Sequence, residues 1–115
     1  MCHVLIIEDD AIAAYDIRDT LRGEGATSFA FAATEREALA CAREERPALI
    51  TSDVMLGAGS GPAAVRVILS EIGPMPVIFI TATPEQCAEC GPYPILEKPF
   101  STEQLAAAFR AVAPL

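Results

Sequence analysis

Four short polar clusters carry the chemistry open to this chain. Glu8-Asp9, Asp53, Thr81 and Lys98 each lie at the end of an apolar run, and Lys98 is the sole lysine in the sequence. Three carboxylates with no histidine or cysteine beside them form an oxygen-donor set, which prefers a hard divalent cation such as Mg²⁺. Such an ion would offset the mutual repulsion that otherwise raises carboxylate pKa values. A carboxylate can also act as a nucleophile and take a phosphoryl group as an acyl phosphate. The transition state of that transfer spreads negative charge over equatorial oxygens, which a metal and an ammonium neutralise from different sides. Singly, each residue has an ordinary explanation: acids cap helices, threonine ends many strands, and a lone lysine is usually solvated. Their meaning depends on whether the fold delivers them to one edge. His3 precedes the first strand and reads as a surface residue outside the group.

The elements that must position them follow from periodicity. Val4-Leu5-Ile6-Ile7 is a continuous apolar run, suited to a strand buried on both faces, and it stops at Glu8-Asp9-Asp10. Asp10 reads as a helix cap, with a supporting role beside the metal as the second reading. A helix is predicted over 11–23, with Ala13, Ala14, Ile17 and Leu21 inward and Asp16, Arg18, Asp19 and Arg22 outward. Residues 26–32 form a weaker edge strand, and Thr34 with Glu37 has the spacing of a capping box for a helix over 35–45. Pro47 introduces a strand over 48–52 that ends at Asp53. Residues 57–61 are expected to be a flexible loop, and Pro62 opens a helix carrying Val65, Ile68, Leu69 and Ile72. Val77-Ile78-Phe79-Ile80 is a fourth buried strand, ending at Thr81. Pro84 to about Glu89 has room for only a short helix, and Ile95-Leu96 makes a minimal fifth strand before Lys98-Pro99-Phe100. Ser101 and Gln104 cap a last helix lined by Leu105, Ala108, Phe109 and Val112. Strand–helix alternation of this kind predicts an α/β fold, a parallel sheet covered on both faces, as one domain over 1–115. In such a sheet the site lies beyond the carboxyl ends of the strands, where all four clusters fall.

Composition narrows the classes. The 115 residues hold eight basic and sixteen acidic side chains, for a formal charge of −8, and about half are apolar. That supports a proper core and argues against both disorder and a nucleic-acid footprint. No apolar run approaches the roughly twenty residues of a membrane span, and Met-Cys-His-Val lacks the basic flank of a secretory signal. A cytoplasmic protein is expected. Cys87 and Cys90 have the spacing of a redox or metal pair, yet Cys2 and Cys41 are single and distant, so no four-ligand zinc site is available. The pair is read as ordinary reduced thiols, with redox sensing as the second reading.

The ordered set is specific. Val4-Leu5-Ile6-Ile7-Glu8-Asp9-Asp10, Ser52-Asp53-Val54-Met55-Leu56 with Gly61 eight residues after Asp53, Phe79-Ile80-Thr81-Ala82 and Leu96-Glu97-Lys98-Pro99-Phe100 resembles the CheY-like receiver domain of two-component response regulators. The resemblance runs from end to end. It implies a flavodoxin-like sheet of five parallel strands in the order 2-1-3-4-5. Asp53 is then implied to accept a phosphoryl group from a histidine kinase or histidine phosphotransferase. Asp9 would bind Mg²⁺ directly and Glu8 through a water, with Asp53 and the Met55 backbone carbonyl also facing the ion. Thr81 and Lys98 would hold the phosphoryl oxygens, and the bond before Pro99 is expected to be cis. The implied activity is that of a phosphoacceptor which assists only its own phosphorylation and dephosphorylation, not of an enzyme.

Departures from the family pattern gather on one face. Receivers usually carry Tyr or Phe where this chain has Ile95, so the switch region around Ile95 and Pro99 is expected to move differently. Tyr93, two residues earlier, points the same way along a strand without occupying that place. The usual proline four residues beyond the acceptor is Gly57, expected to loosen its loop. Only seventeen positions separate Thr81 from Lys98, so the fourth helix should be short or distorted. Val77 to Glu85 together with these changes also resembles the receiver of the alphaproteobacterial general stress response regulator. That subgroup makes an anti-sigma factor a candidate downstream partner.

A stand-alone receiver that signals through protein contacts is the leading reading, with no nucleic-acid or membrane partner and a monomeric or weakly dimeric state. The first helix, with its rim of Asp16, Arg18, Asp19 and Arg22, is the implied docking surface for the histidine donor. A pseudo-receiver without phosphoryl chemistry is the alternative. An aspartate-dependent phosphatase would want a second aspartate where Met55 stands. Flavin binding would want a phosphate-cradling loop where Glu8-Asp9-Asp10 repels.

Overall fold

A computed structural model describes residues 2–87 and 90–113. Its chain order is β1 (His3–Ile7), α1 (Ala11–Gly23), β2 (Ser28–Ala32), α2 (Glu35–Glu44), β3 (Leu49–Asp53), β4 (Met55–Leu56), β5 (Gly59–Ser60), α3 (Gly61–Ile72), β6 (Val77–Thr81), a single 3₁₀ turn (Pro84–Gln86), β7 (Ile95–Glu97) and α4 (Thr102–Val112). Five of the strands make one parallel sheet in the order β2-β1-β3-β6-β7. That is the arrangement 2-1-3-4-5 expected from the resemblance, with β6 and β7 as fourth and fifth sheet strands.

Alternation along each strand divides the core into two layers. Leu5 and Ile7 of β1 join Ala38 and Ala42 of α2 and Ala64, Val65 and Ile68 of α3 on one face. On the other, Val4 and Ile6 pack with Ala14, Ile17 and Leu21 of α1 and Leu105 and Phe109 of α4. Each fully buried Leu, Ile or Phe contributes roughly 1.5–3 kcal/mol, so the double-faced burial of the central strands anchors their carboxyl ends. β2 is the weaker edge strand, with only Ala32 fully buried. No helix among the described residues is long and apolar enough to cross a membrane.

Capping residues set the helix starts. Asp10 accepts hydrogen bonds from the amides of Ile12 and Ala13. Thr34 accepts from Glu37 N at 3.1 Å, and Ser101 with Gln104 forms a reciprocal box at 3.0 and 2.8 Å. Ser60 caps α3, one residue earlier than Pro62 alone would place the start.

Two expectations need correction. The loop over 57–61 is not loose: Met55–Leu56 pairs antiparallel with Gly59–Ser60. Glu35 also accepts a hydrogen bond from Ser60 N at 2.7 Å. The second concerns Cys87 and Cys90, which are joined in a disulfide, because the turn brings their Cα atoms to 5.5 Å. In place of the expected short fourth helix, the described residues hold a 3₁₀ turn over Pro84–Gln86. The remainder of that expected helix, residues 88–89, lies outside the described residues.

Candidate functional site

The site grows out of three adjacent strand ends. β1 and β3 are paired through Ile7 and Ser52, so Glu8-Asp9 and Asp53 leave the sheet side by side. The reversal of strand order falls between these two strands, with α1 and α3 packed on opposite faces of the sheet. Oxygens of Glu8, Asp9 and Asp53 all come within 4.8 Å of one another.

Lys98 reaches this cluster from the far side, after β7. Its ammonium donates to Glu8 Oε1 at 2.9 Å and to Asp53 Oδ2 at 3.0 Å. The Glu8 side chain is 1% exposed and that of Lys98 25% exposed. Burial pushes the Glu8 carboxyl above its ordinary range and outweighs the lowering from Lys98 and the Asp10 amide. For Lys98, burial alone would lower the ammonium pKa, but its hydrogen bonds to Glu8 and Asp53 together raise it. Three carboxylates and one ammonium leave two formal negative charges, which one divalent cation would balance. The oxygen-only donor set fits a hard ion and offers nothing to a soft one.

The loop beyond Asp53 closes the site from above. Gly57 N donates to Asp9 Oδ2 at 2.7 Å. The Met55 amide lies 3.4 Å from Asp53 Oδ1, while the Met55 side chain points outward and is exposed. At Gly61 a side chain is forbidden: a methyl group would overlap the Asp53 carbonyl and the Ser52 hydroxyl.

Thr81 ends β6 and is buried, and its hydroxyl is engaged by Thr83. It accepts a hydrogen bond from Thr83 N at 3.1 Å. Ile95 pairs with Phe79 and is 38% exposed. The inward aromatic of this region is Tyr93, whose ring meets Phe79 edge-on at 6.2 Å. The Lys98–Pro99 bond is cis, as expected. His3 lies at the opposite end of β1, half-buried and bonded to Ser28 Oγ at 2.8 Å, so it takes no part.

Thus the fold gathers Glu8, Asp9, Asp53 and Lys98, while the Thr81 hydroxyl is bonded to Thr83. Two groups escaped the sequence reading. The Gly57 amide was hidden because a backbone donor has no residue-type signature. Glu35, in the first turn of α2, carries no spacing that marks it, yet its carboxylate secures the α3 entrance.

Comparison with known proteins agrees with this geometry. The family described as "Response regulator receiver domain" matches residues 4–110. The phyllosphere-induced regulator PhyR of Methylorubrum extorquens is 42% identical over 85 residues, covering 72% of this chain and 32% of that protein. The solution structure of the Erythrobacter litoralis PhyR receiver domain superposes with a TM-score of 0.86 at 33% identity, covering 96% of this chain and 88% of that one. The anti-anti-sigma factor PhyR from Bartonella quintana gives a TM-score of 0.80 at 35% identity, covering 94% and 45%. This chain therefore spans about a third of the Methylorubrum protein and under half of the Bartonella chain.

Proposed function

The chain belongs to the response regulator receiver domain family, and from that premise we propose that Asp53 accepts a phosphoryl group from a phosphohistidine on a kinase or phosphotransferase. In this transfer an Asp53 carboxylate oxygen forms the new P–O bond as the P–N bond to the donor breaks. The electron pair of that bond returns to the imidazole. Mg²⁺ held by Asp9, Asp53, the Met55 carbonyl and, through water, Glu8 would neutralise charge on the phosphoryl oxygens.

The residues of the chain do the rest. Lys98, already beside Asp53, shifts its ammonium onto a phosphoryl oxygen as the carboxylate becomes an acyl phosphate, a mixed anhydride. The hydrogen bond from Lys98 to Glu8 keeps the lysine aimed at the site. The Thr81 hydroxyl turns from Thr83 N to a second phosphoryl oxygen, and that rotation carries the signal toward Thr83 and β7. The phosphorylated chain then signals through protein contacts in the cytoplasm. An anti-sigma factor is the partner class carried over from the Bartonella relative.

The observation that carries this reading is the Lys98 ammonium bridging Glu8 and Asp53 within a three-carboxylate cluster. Treating the protein with acetyl phosphate and Mg²⁺ and measuring intact mass tests it. One phosphoryl mass is expected for the wild type and none for Asp53→Ala. Absence of an adduct together with absence of Mg²⁺ binding would favour the pseudo-receiver.

A further inference from the structure

We propose that Cys87 and Cys90 form a reversible oxidation site that takes a hydroperoxide as its oxidant and ties Thr83 to Tyr93 between β6 and β7.

The placement of the pair carries the argument. Cys90 is 1% exposed and belongs to the core layer beside Phe79, whereas Cys87 is half-buried at its margin. Cys87 is thus the more accessible of the two, with Cys90 bonded to it from the core side. The backbone links are consecutive: Cys87 N donates to Pro84 O at 3.2 Å, Cys90 N to Cys87 O at 3.4 Å, and Tyr93 N to Cys90 O at 3.4 Å. At its front end the same segment hangs on the Thr81 hydroxyl through Thr83 N. At its back end it is pinned by Tyr93 against Phe79. A crosslink in the middle joins those two attachments into one unit.

Stability does not explain such a crosslink. With a sequence separation of 3 it closes one of the smallest rings available, where the loss of unfolded-state entropy is least. In a reducing compartment a disulfide of this kind is transient or sensory rather than structural. The other two thiols are poorly placed for oxidation. Cys2 is fully buried and Cys41 packs beside Glu44 and Glu37, and burial pushes both thiols up in pKa.

The chemistry balances with the hydroperoxide named. The Cys87 thiolate attacks the O–O bond, giving a sulfenic acid and releasing the alcohol, or water from hydrogen peroxide. Cys90 sulfur then displaces the sulfenic hydroxyl as water and the S–S bond forms. Two electrons have passed from the thiols to the peroxide. A dithiol reductant returns them by exchange through a mixed disulfide. None of these steps requires phosphorylation of Asp53, so the inference and the phosphoryl reading fail independently.

The intact chain, fully reduced and then treated with stoichiometric hydrogen peroxide, tests this by alkylation, peptide mapping and ¹H–¹⁵N NMR without any phosphoryl donor. Expected are a Cys87–Cys90 disulfide with loss of two hydrogens, recovery with dithiothreitol, and no oxidation of Cys2 or Cys41. Amide shifts should gather at Thr81, Thr83, Phe79 and Tyr93. Cys87→Ser should abolish both the crosslink and the shifts; comparing reduced and oxidised wild type needs no variant to fold. A pair still fully alkylatable after peroxide, oxidation of Cys87 onward to sulfinic acid, or a disulfide whose shifts stop at the cysteines would overturn the proposal.

Discussion

Gly57 donates its amide hydrogen to Asp9 Oδ2 across 2.7 Å, tying the loop after Asp53 to the end of the first strand. Where receivers usually carry proline this donor does not exist, so the glycine supplies a bond rather than a loose loop. A hydrogen-bonding partner of a ligating carboxylate fixes its orientation toward the ion.

Gly57→Pro should therefore weaken Mg²⁺ binding by about tenfold, as read by isothermal titration calorimetry. Gly57→Ala keeps the amide but sets a methyl group 3.3 Å from Asp9 Oδ2, so a smaller loss is expected. Equal affinities for wild type and the proline variant would show that the amide does not orient Asp9.

Lys98→Met removes the ammonium and leaves the buried Glu8 carboxylate without a cation. In metal-free buffer the cost should be about 3 kcal/mol near neutral pH, measured by urea denaturation. It should shrink in acid as Glu8 takes a proton. Chevron or equilibrium data showing the same loss at both pH values would contradict the pairing.

The same pair dictates how metal-free wild type responds to pH. Glu8 has a folded pKa above its ordinary 4.5, so the native state binds the extra proton in the window just above that value. Stability should fall there as pH rises, until Glu8 is ionised in both states. Lys98, raised above 10.5, contributes stability that is full below that value and lost as pH climbs through its folded pKa. Thermal unfolding in EDTA across the pH range reads both windows; a rise just above pH 4.5 in a Glu8→Gln-subtracted curve would reverse the sign assigned here.

Gly61→Ala should destabilise by about 2–3 kcal/mol, because the methyl group would meet the Asp53 carbonyl and the Ser52 hydroxyl. The midpoint of urea unfolding reports it. A wild-type midpoint would mean that β3 and α3 separate more readily than their packing implies.

Thr51 lies within β3 at 1% exposure, and its hydroxyl has no hydrogen-bond partner among the described residues. Thr51→Val keeps the shape and removes an unsatisfied group, so stability should rise by about 1 kcal/mol. A loss on the same assay would reveal a partner for the hydroxyl.

Much of this arrangement is readable from residue order alone. Continuous apolar runs at Val4–Ile7 and Val77–Ile80 announce double-faced strands, and the acids and Thr81 at their ends mark the edge of the candidate site. Asp10, Thr34 and Ser101 announce helix starts because side-chain caps act locally. What resists such reading depends on backbone donors and rotamers. The Gly57 amide reaches a residue 48 positions away, and Glu35 reaches Ser60 across 25. The direction of the Thr81 hydroxyl is decided by a neighbouring amide rather than by its own type. Cys87 and Cys90 pair because a turn sets their separation, which spacing alone leaves open.

Trapping the phosphoryl group on its residue tests the central claim most directly. Protein exposed to a phosphohistidine donor with Mg²⁺, then reduced with borohydride and digested, should yield homoserine in place of Asp53 and nowhere else in the chain. Homoserine at Asp9 or another acid, or an unmodified Asp53 peptide beside a consumed donor, would contradict the account.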